Sequence, residues 1–420
     1  MSDQLGSLTA RFWQSWRSDR EAVCFYLMAL ANVAVLFSIA LSQLLLGAGL
    51  VMLLVARRRI EAPPVVVPLG CFVVWTVASL ATAPDPLLGL AQIKKFYIFL
   101  IAVAAYMAFR DLDQVQRIWQ ALFAAASVAA LLALIEFALY YDSLHSQRDF
   151  YHLYSLGRRI TGFMGHWQTF SGEQMLVLAA LLSFLLFAPR RPWWSWAAAA
   201  LIALSLLLSF TRGVWLGCLA ATAYLLWQFQ RRLVLIVPAA LLLLYLVAPG
   251  LVRERVRSLV DTRSDSSNQA RVLMMRTGLN MIRRHPLLGV GPNGVRYYFD
   301  LYRPNSGQPK PTAYYGHLHN NYLHIAAERG LPCLVFFLWL LFSVARDQQR
   351  LAARLEARHR YLAYGVVAAT IAIAVAGAFE NNFGDSEVAM LFLFYITHGY
   401  VAERAWLQAA GGEQAVGRRL

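Results

Sequence analysis

Charge is scarce in this chain, at 15% of 420 residues, while 59% are hydrophobic and the mean hydropathy is +0.49. A soluble chain of this length would carry about 25% charged residues and divide into domains. Alternating strands are missing too. The apolar stretches are unbroken Leu, Ala and Val runs, which excludes a transmembrane barrel of short alternating segments. Only four cysteines occur (Cys24, Cys71, Cys218, Cys333), none in a CxxC pair, so no disulfide framework is expected. The first apolar run begins about twenty residues in and lacks a small-residue cleavage site, so it is expected to be a retained span. There is no low-complexity tract, and no internal repeat that would favour an inverted-repeat transporter.

What is present is a series of runs near the ~20 apolar residues that cross a bilayer. The fold class expected is an all-α polytopic membrane protein. The block Ala22 to Ala56 has arginines at both ends, and as one helix it would measure about 50 Å against a ~30 Å hydrocarbon core. It is therefore expected to fold back on itself near Ser38–Ser42. Further spans are expected at about 65–83, 90–109, 117–139, 168–188, 194–210, 213–230, 233–249, 331–345, 361–379 and 387–403. With the short basic loops gathered on the cytoplasmic side, twelve spans result and both termini are cytoplasmic. The organisation expected is nine spans over 1–249, an outer insert over 250–330, and three spans with a tail over 331–420. Arg212, the Tyr141–Trp167 loop, the insert and the Glu380–Asp385 hairpin then share the outer side.

The formal net charge is +15, and topology explains part of it. The insert does not fit that explanation. Between Arg253 and Arg329 it carries twelve Lys or Arg against five acids. Two readings are open: a solvated basic face near lipid headgroups, or a site for phosphate groups. Within the insert, Asp265 to Asn268 has the composition of a helix cap and Gln269 to His285 reads as a helix ended by Pro286. Arg271 in its first turn would oppose the helix dipole, so a purely structural role gains little. Leu287 to Gly294 reads as a tight turn whose glycines weakly resemble a phosphate loop. A second helix is expected from about Leu318 to Arg329, stopped by Gly330 with Pro332 beyond.

Arg212 lies between two apolar runs, where a charge is costly; it either snorkels to the headgroups or serves function. Lys94, Lys95, Glu136 and Glu173 are expected to hold salt-bridged structural roles. His317 and His319 form an HxH pair, but no carboxylate or thiolate completes a ligand set nearby, so no metal is expected. The one DxD, Asp111-Leu112-Asp113, falls on the cytoplasmic side. Outer-face chemistry then rests on guanidinium groups, which bind diphosphate through paired, charge-assisted hydrogen bonds.

Three pieces of the chain resemble the O-antigen ligase/polymerase superfamily of membrane glycosyltransferases. One is the turn Ser209-Phe210-Thr211-Arg212-Gly213. Another is Arg271 followed by Pro286-Leu287-Leu288-Gly289-Val290-Gly291. The most specific is His319-Asn320, a nine-residue gap, then Gly330; the last motif position, usually Gly, Thr or Tyr, is Cys333 here. The motifs span roughly residues 200–345. Size, a single large outer loop and no appended C-terminal domain look most like the lipopolysaccharide O-antigen ligases.

The resemblance implies a GT-C-like helical enzyme of the bacterial inner membrane with a periplasmic active site. The donor would be a glycan on undecaprenyl pyrophosphate, and the acceptor a sugar hydroxyl of lipid A–core. Membrane lipids would be partners, nucleic acid would not, and no cofactor or metal would be needed. Arg212, Arg271 and His319 correspond to the family's key groups, with inversion at the anomeric carbon. Arg159, Arg276, His317, Asn320, Asn321 and Tyr322 are expected as secondary substrate contacts. The alternatives are an O-antigen polymerase, a protein O-oligosaccharyltransferase or, outside enzymes, a lipid or polysaccharide transporter.

Overall fold

The structure is a computed structural model and describes residues 20–56, 59–144, 153–154, 158–247, 250, 253, 256, 266–304, 314 and 316–417. Every regular element among them is helical. The fold-back near Ser38 is present. A helix over 20–34 (α1) turns at 35–38 into α2 (Ile39–Val55). Ser38 caps α2 by accepting from the Leu41 amide, and Ser42 Oγ donates to the Ala31 carbonyl (2.7 Å), tying the two helices together.

There follow α3 (Val66–Ala78), α4 (Pro86–Ile93), α5 (Ile101–Ala108) and α6 (Leu112–Leu144). The expected span at 90–109 is not one α-helix, because Lys94–Leu100 tightens into a 3₁₀ segment between α4 and α5. Next come α7 (Trp167–Phe187), α8 (Trp193–Leu208), α9 (Arg212–Phe229) and α10 (Ile236–Val247). The insert contributes α11 (Ser266–Arg284) and α12 (Gly294–Tyr302). The chain closes with α13 (Asn321–Arg354), α14 (Arg360–Ala376) and α15 (Ser386–Gly417). Asp265, Arg57, Arg58 and much of the expected Tyr141–Trp167 loop lie outside the described residues.

Among the described residues, four helices are long and apolar enough to cross a bilayer: Leu112–Ser143, Trp167–Phe187, Asn321–Arg354 and Ala357–Ala376. Shorter apolar helices accompany them at Ile39–Val55, Val66–Thr82, Lys95–Ala108 and Trp193–Leu208. The chain is a membrane-integral helical protein. Its most enclosed long helix is α7, which α9, α14 and α15 approach through small residues. A Cβ at Gly217 would lie 2.6 Å from the Ala372 carbonyl, and one at Gly365 would meet the Trp119 ring at 2.6 Å. Among the described residues, Glu136 is structural through backbone amides and not the expected salt bridge: its carboxylate accepts from the Thr161 amide (2.8 Å) and the Gly162 amide (2.9 Å), closing the turn before α7.

The structure fixes three features of the insert: it moves the start of α11, adds a helix, and keeps 287–294 as the tight turn the sequence indicated. First, α11 begins at Ser266, so Arg271 sits in its second turn instead of its first. Second, Gly294–Tyr302 is helical, with Val295 and Phe299 buried one turn apart. Third, the glycines of 287–294 do not form a phosphate cradle. A Cβ at Gly289 would lie 2.4 Å from the Glu328 carbonyl carbon, and one at Gly291 would lie 2.3 Å from the Ala83 backbone. They permit backbone to press against backbone. Val290 N–H donates to the Ala327 carbonyl (2.9 Å), and Leu331 N–H to the Pro286 carbonyl (2.8 Å).

Gly330 breaks α13 as anticipated (φ 83°, ψ 168°), but the chain resumes a helix at once, with Pro332 in its first turn where no amide is needed. A Cβ at Gly330 would lie 1.8 Å from the Leu287 carbonyl oxygen. Cys333, the departure from the family pattern, is fully buried with Sγ 3.6 Å from Thr76 Oγ1, seating α13 on α3. Gly330→Ala combines a steric overlap with a backbone region open essentially to glycine, so it should destabilise the fold by more than about 3 kcal/mol. Thermal melting in detergent measures this. A variant melting within about 2 °C of the parent would contradict the rivet between α13 and the 286–291 turn.

Candidate active site

The turn between α8 and α9 is rigid for local reasons. Phe210 holds a left-handed backbone (φ 54°) and is fully buried against Tyr154, with ring centroids 5.2 Å apart. The Tyr154 hydroxyl donates to the Leu208 carbonyl (2.6 Å). This turn sets Arg212 at the first position of α9, where it is only 5% exposed. Its Nη2 donates to Asn268 Oδ1 (2.9 Å) on α11. Gly213 follows because a Cβ there would meet Phe379 Cβ at 2.9 Å and Glu380 Cγ at 3.0 Å. The α14–α15 hairpin can therefore lie against the start of α9.

On α11, Asn268, Arg271, Val272 and Met275 recur at helical spacing on one face. Arg271 Nη2 donates to Glu380 Oε1 (2.8 Å). Glu380 is buried in the 377–385 hairpin and also gathers His319 and Gln168. His319 Nδ1 is 3.4 Å from Glu380 Oε2, and Gln168 Nε2 donates to the same oxygen. Burial pushes the Glu380 carboxyl upward, but the Arg271 guanidinium and the His319 ring outweigh it and hold the carboxyl at about 2. His319 has a left-handed backbone (φ 47°) and is buried, so its ring direction is over-determined. A ring that donates Nδ1–H to Glu380 presents Nε2 as its acceptor.

Arg212, Arg271 and His319 line one cavity of about 310 Å³. Leu216, Leu318, Leu323 and Phe379 complete it with apolar surface. Two guanidinium groups and an imidazole beside an apolar wall suit an anionic head on a lipid tail. Residues 197–338 match the family model described as O-antigen ligase. No curated protein matches the chain. The O-antigen ligase match encloses Arg212, Arg271, His319 and Gly330, while Gln168 and Glu380 lie outside it. The family consists of membrane enzymes of the ligase and polymerase type, acting on lipid-linked glycans.

The secondary candidates separate by position around the cavity. Asn320 lines the cavity and caps α13, accepting from Leu323 N–H (2.8 Å) while its Nδ2 donates to the Ala378 carbonyl (2.8 Å). Asn321 and Tyr322 do not line it. Asn321 bonds to Asn382 Oδ1 (2.5 Å) and the Phe383 amide (3.2 Å), and the Tyr322 hydroxyl donates to the Ala374 carbonyl (2.6 Å). Asn321 fastens α13 to the hairpin that carries Glu380, and Tyr322 fastens it to the end of α14. Arg276 is on the exposed side of α11, away from the cavity. Arg159 covers the Trp167 ring at 4.9 Å, and Trp167 stacks on His166. His317 lines a neighbouring cavity.

Sequence reasoning missed Glu380, Gln168 and Asn268. A signal for Glu380 did exist, since it is an acid in a short hairpin on the same side as the arginines. Nothing in the spacing linked it to His319.

Proposed function

We propose that this chain moves a glycan from undecaprenyl pyrophosphate to a sugar hydroxyl of lipid A–core at the periplasmic face of the inner membrane. In this reading the chain crosses the membrane twelve times, with cytoplasmic termini and the 250–330 insert outside. The observation that carries it is the meeting of Arg212, Arg271 and His319, from three separate segments, around one cavity beside apolar surface.

The acceptor oxygen attacks the anomeric carbon and forms the new glycosidic bond. The anomeric bond to the diphosphate breaks, and its electron pair leaves on the diphosphate oxygen. Arg212 and Arg271 stabilise that charge as it develops. A guanidinium has five N–H donors, so the bond from Arg271 to Glu380 leaves others for phosphate. His319 accepts the hydroxyl proton at Nε2 while Glu380 holds Nδ1–H. Displacement in one step inverts the anomeric centre. The guanidinium pair does the work of a divalent cation, so added metal is not required.

Purified full-length protein in detergent, given lipid-linked glycan and lipid A–core, is expected to form the joined product in chelator. Product that appears only with added divalent cation would overturn the metal-independent mechanism. Elongation of the lipid-linked glycan alone, with lipid A–core ignored, would assign the polymerase reaction instead.

A further inference from the structure

Three consecutive or near-consecutive pairs of residues form a partition beside His319. Gly213, His319 and Phe379 face the cavity already described, whereas Val214, His317 and Glu380 face a second cavity of about 290 Å³. The second cavity has a different chemistry. Arg212 and Arg271 serve the first, but among the described residues no Lys or Arg lines the second. Its polar wall is made of His166, Gln168, Thr169, Asn381, Asn382 and Asp385. Carboxylates repel a diphosphate, while amides, imidazoles and a hydroxyl offer the mixed donors and acceptors that a neutral polyol needs.

Both imidazoles keep to that pattern. Burial lowers His317 to about 3, with the nearby His319 and His324 adding to the effect, and burial likewise lowers His166. Both rings are neutral near pH 7; each Nδ1 accepts a backbone amide (Gln168 N–H to His166, 3.2 Å; His319 N–H to His317, 3.3 Å), so Nε2 carries the proton and is the donor. Part of the wall is fixed in advance: Thr169 Oγ1 donates to Asp385 Oδ2 (2.5 Å), and Asp385 Oδ1 accepts from the Glu387 amide (3.2 Å). One donor is unused. Asn382 is 6% exposed, gives its Oδ1 to Asn321, and leaves Nδ2 without a hydrogen-bond partner. A buried amide left unmatched is costly, and an acceptor group entering beside it recovers that cost.

We infer that the second cavity receives the terminal sugar of the acceptor as a neutral polyol, on the far side of the His319–Glu380 partition from the donor diphosphate. This rests on the transfer reading above and adds to it where the acceptor binds and which residues select it. Separate cavities keep the body of the acceptor sugar out of the arginine-lined space, and only its attacking hydroxyl crosses to His319, which lines the first cavity. Gln168 joins the two sides, since its Nε2 donates to Glu380 and stands 3.4 Å from His319 Nδ1.

The test compares the parent with Asn381→Ala and Thr169→Val, all full length and in detergent. Transfer is measured against lipid A–core at saturating donor, then against donor at saturating lipid A–core. Binding of undecaprenyl diphosphate is measured separately, and melting checks the fold. Each variant loses one or two hydrogen bonds to a sugar, so the KM for lipid A–core should rise about tenfold. The donor KM and undecaprenyl diphosphate affinity should be unchanged, and kcat should stay within about threefold of the parent. An unchanged acceptor KM in both folded variants, or a donor KM that rises equally, would overturn the assignment. Transfer by the parent with either of those results leaves the transfer reading standing. A parent that transfers nothing sinks that reading and this inference together.

Discussion

Glu380→Ala should reduce transfer by about 10³-fold while leaving the protein folded. Glu380 is the group on which Arg271, His319 and Gln168 converge, so its loss frees three side chains at once. Arg271 loses a 2.8 Å partner that aims it, and His319 loses the acceptor that fixes its tautomer. The stability cost is smaller. The Arg271 side chain is 26% exposed and can turn to water, so it is not stranded as a fully buried charge would be, and about 1–2 kcal/mol is expected.

Glu380→Gln keeps the shape and one acceptor but removes the charge, so it should fall between the parent and Glu380→Ala. The sign of the pH dependence follows from a folded carboxyl held near 2, below an unfolded value of about 4.3. The stabilisation is fully present above about 4.3 and fades as pH falls toward 2. Between pH 5 and 8 Glu380 stays ionised, and any acid limb of the rate profile in that window belongs to another group. Rates and melting curves for the two variants check this. Activity within threefold of the parent in Glu380→Ala would remove Glu380 from the mechanism.

Substitution at His319 should have an effect of similar size for a different reason. Loss of the proton acceptor costs about 10²–10⁴-fold in kcat. Alanine is a poor probe here, because φ 47° is an unfavourable backbone for it and a folding defect would confuse the result. Asparagine tolerates the left-handed region, so His319→Asn should melt close to the parent and still fail to transfer. Binding of undecaprenyl diphosphate should survive in His319→Asn and weaken in Arg271→Ala, which separates proton transfer from anion binding. Near-normal kcat in a folded His319→Asn would remove the proton-transfer role.

The helices and the site were legible to different depths. The fold-back of α1 and α2 follows from arginines at both ends of an over-long run, and the Gly330 break follows from glycine beside Pro332. The 286–291 turn was legible as a turn, but its glycines were ambiguous between phosphate binding and close packing. Only the approach of Gly291 to Ala83 and of Gly289 to Glu328 distinguishes the two. Asn321 and Tyr322 stand beside the site in sequence, yet their polar atoms face the α14–α15 hairpin. Adjacent residues on a helix point in different directions.

The sequence alone determined the helical membrane class and named Arg212, Arg271 and His319. Apolar run length and motif spacing are local properties, and a chain in lipid must satisfy its backbone within each helix. Tertiary structure decided which groups share a space. Glu380 lies 61 residues from His319, and Gln168 lies 151 residues from it. Such separations leave no periodic trace. The hairpin reaches the start of α9 only because Gly213 has no side chain to hold it off. That same approach divides the space around His319 into two cavities of unlike charge.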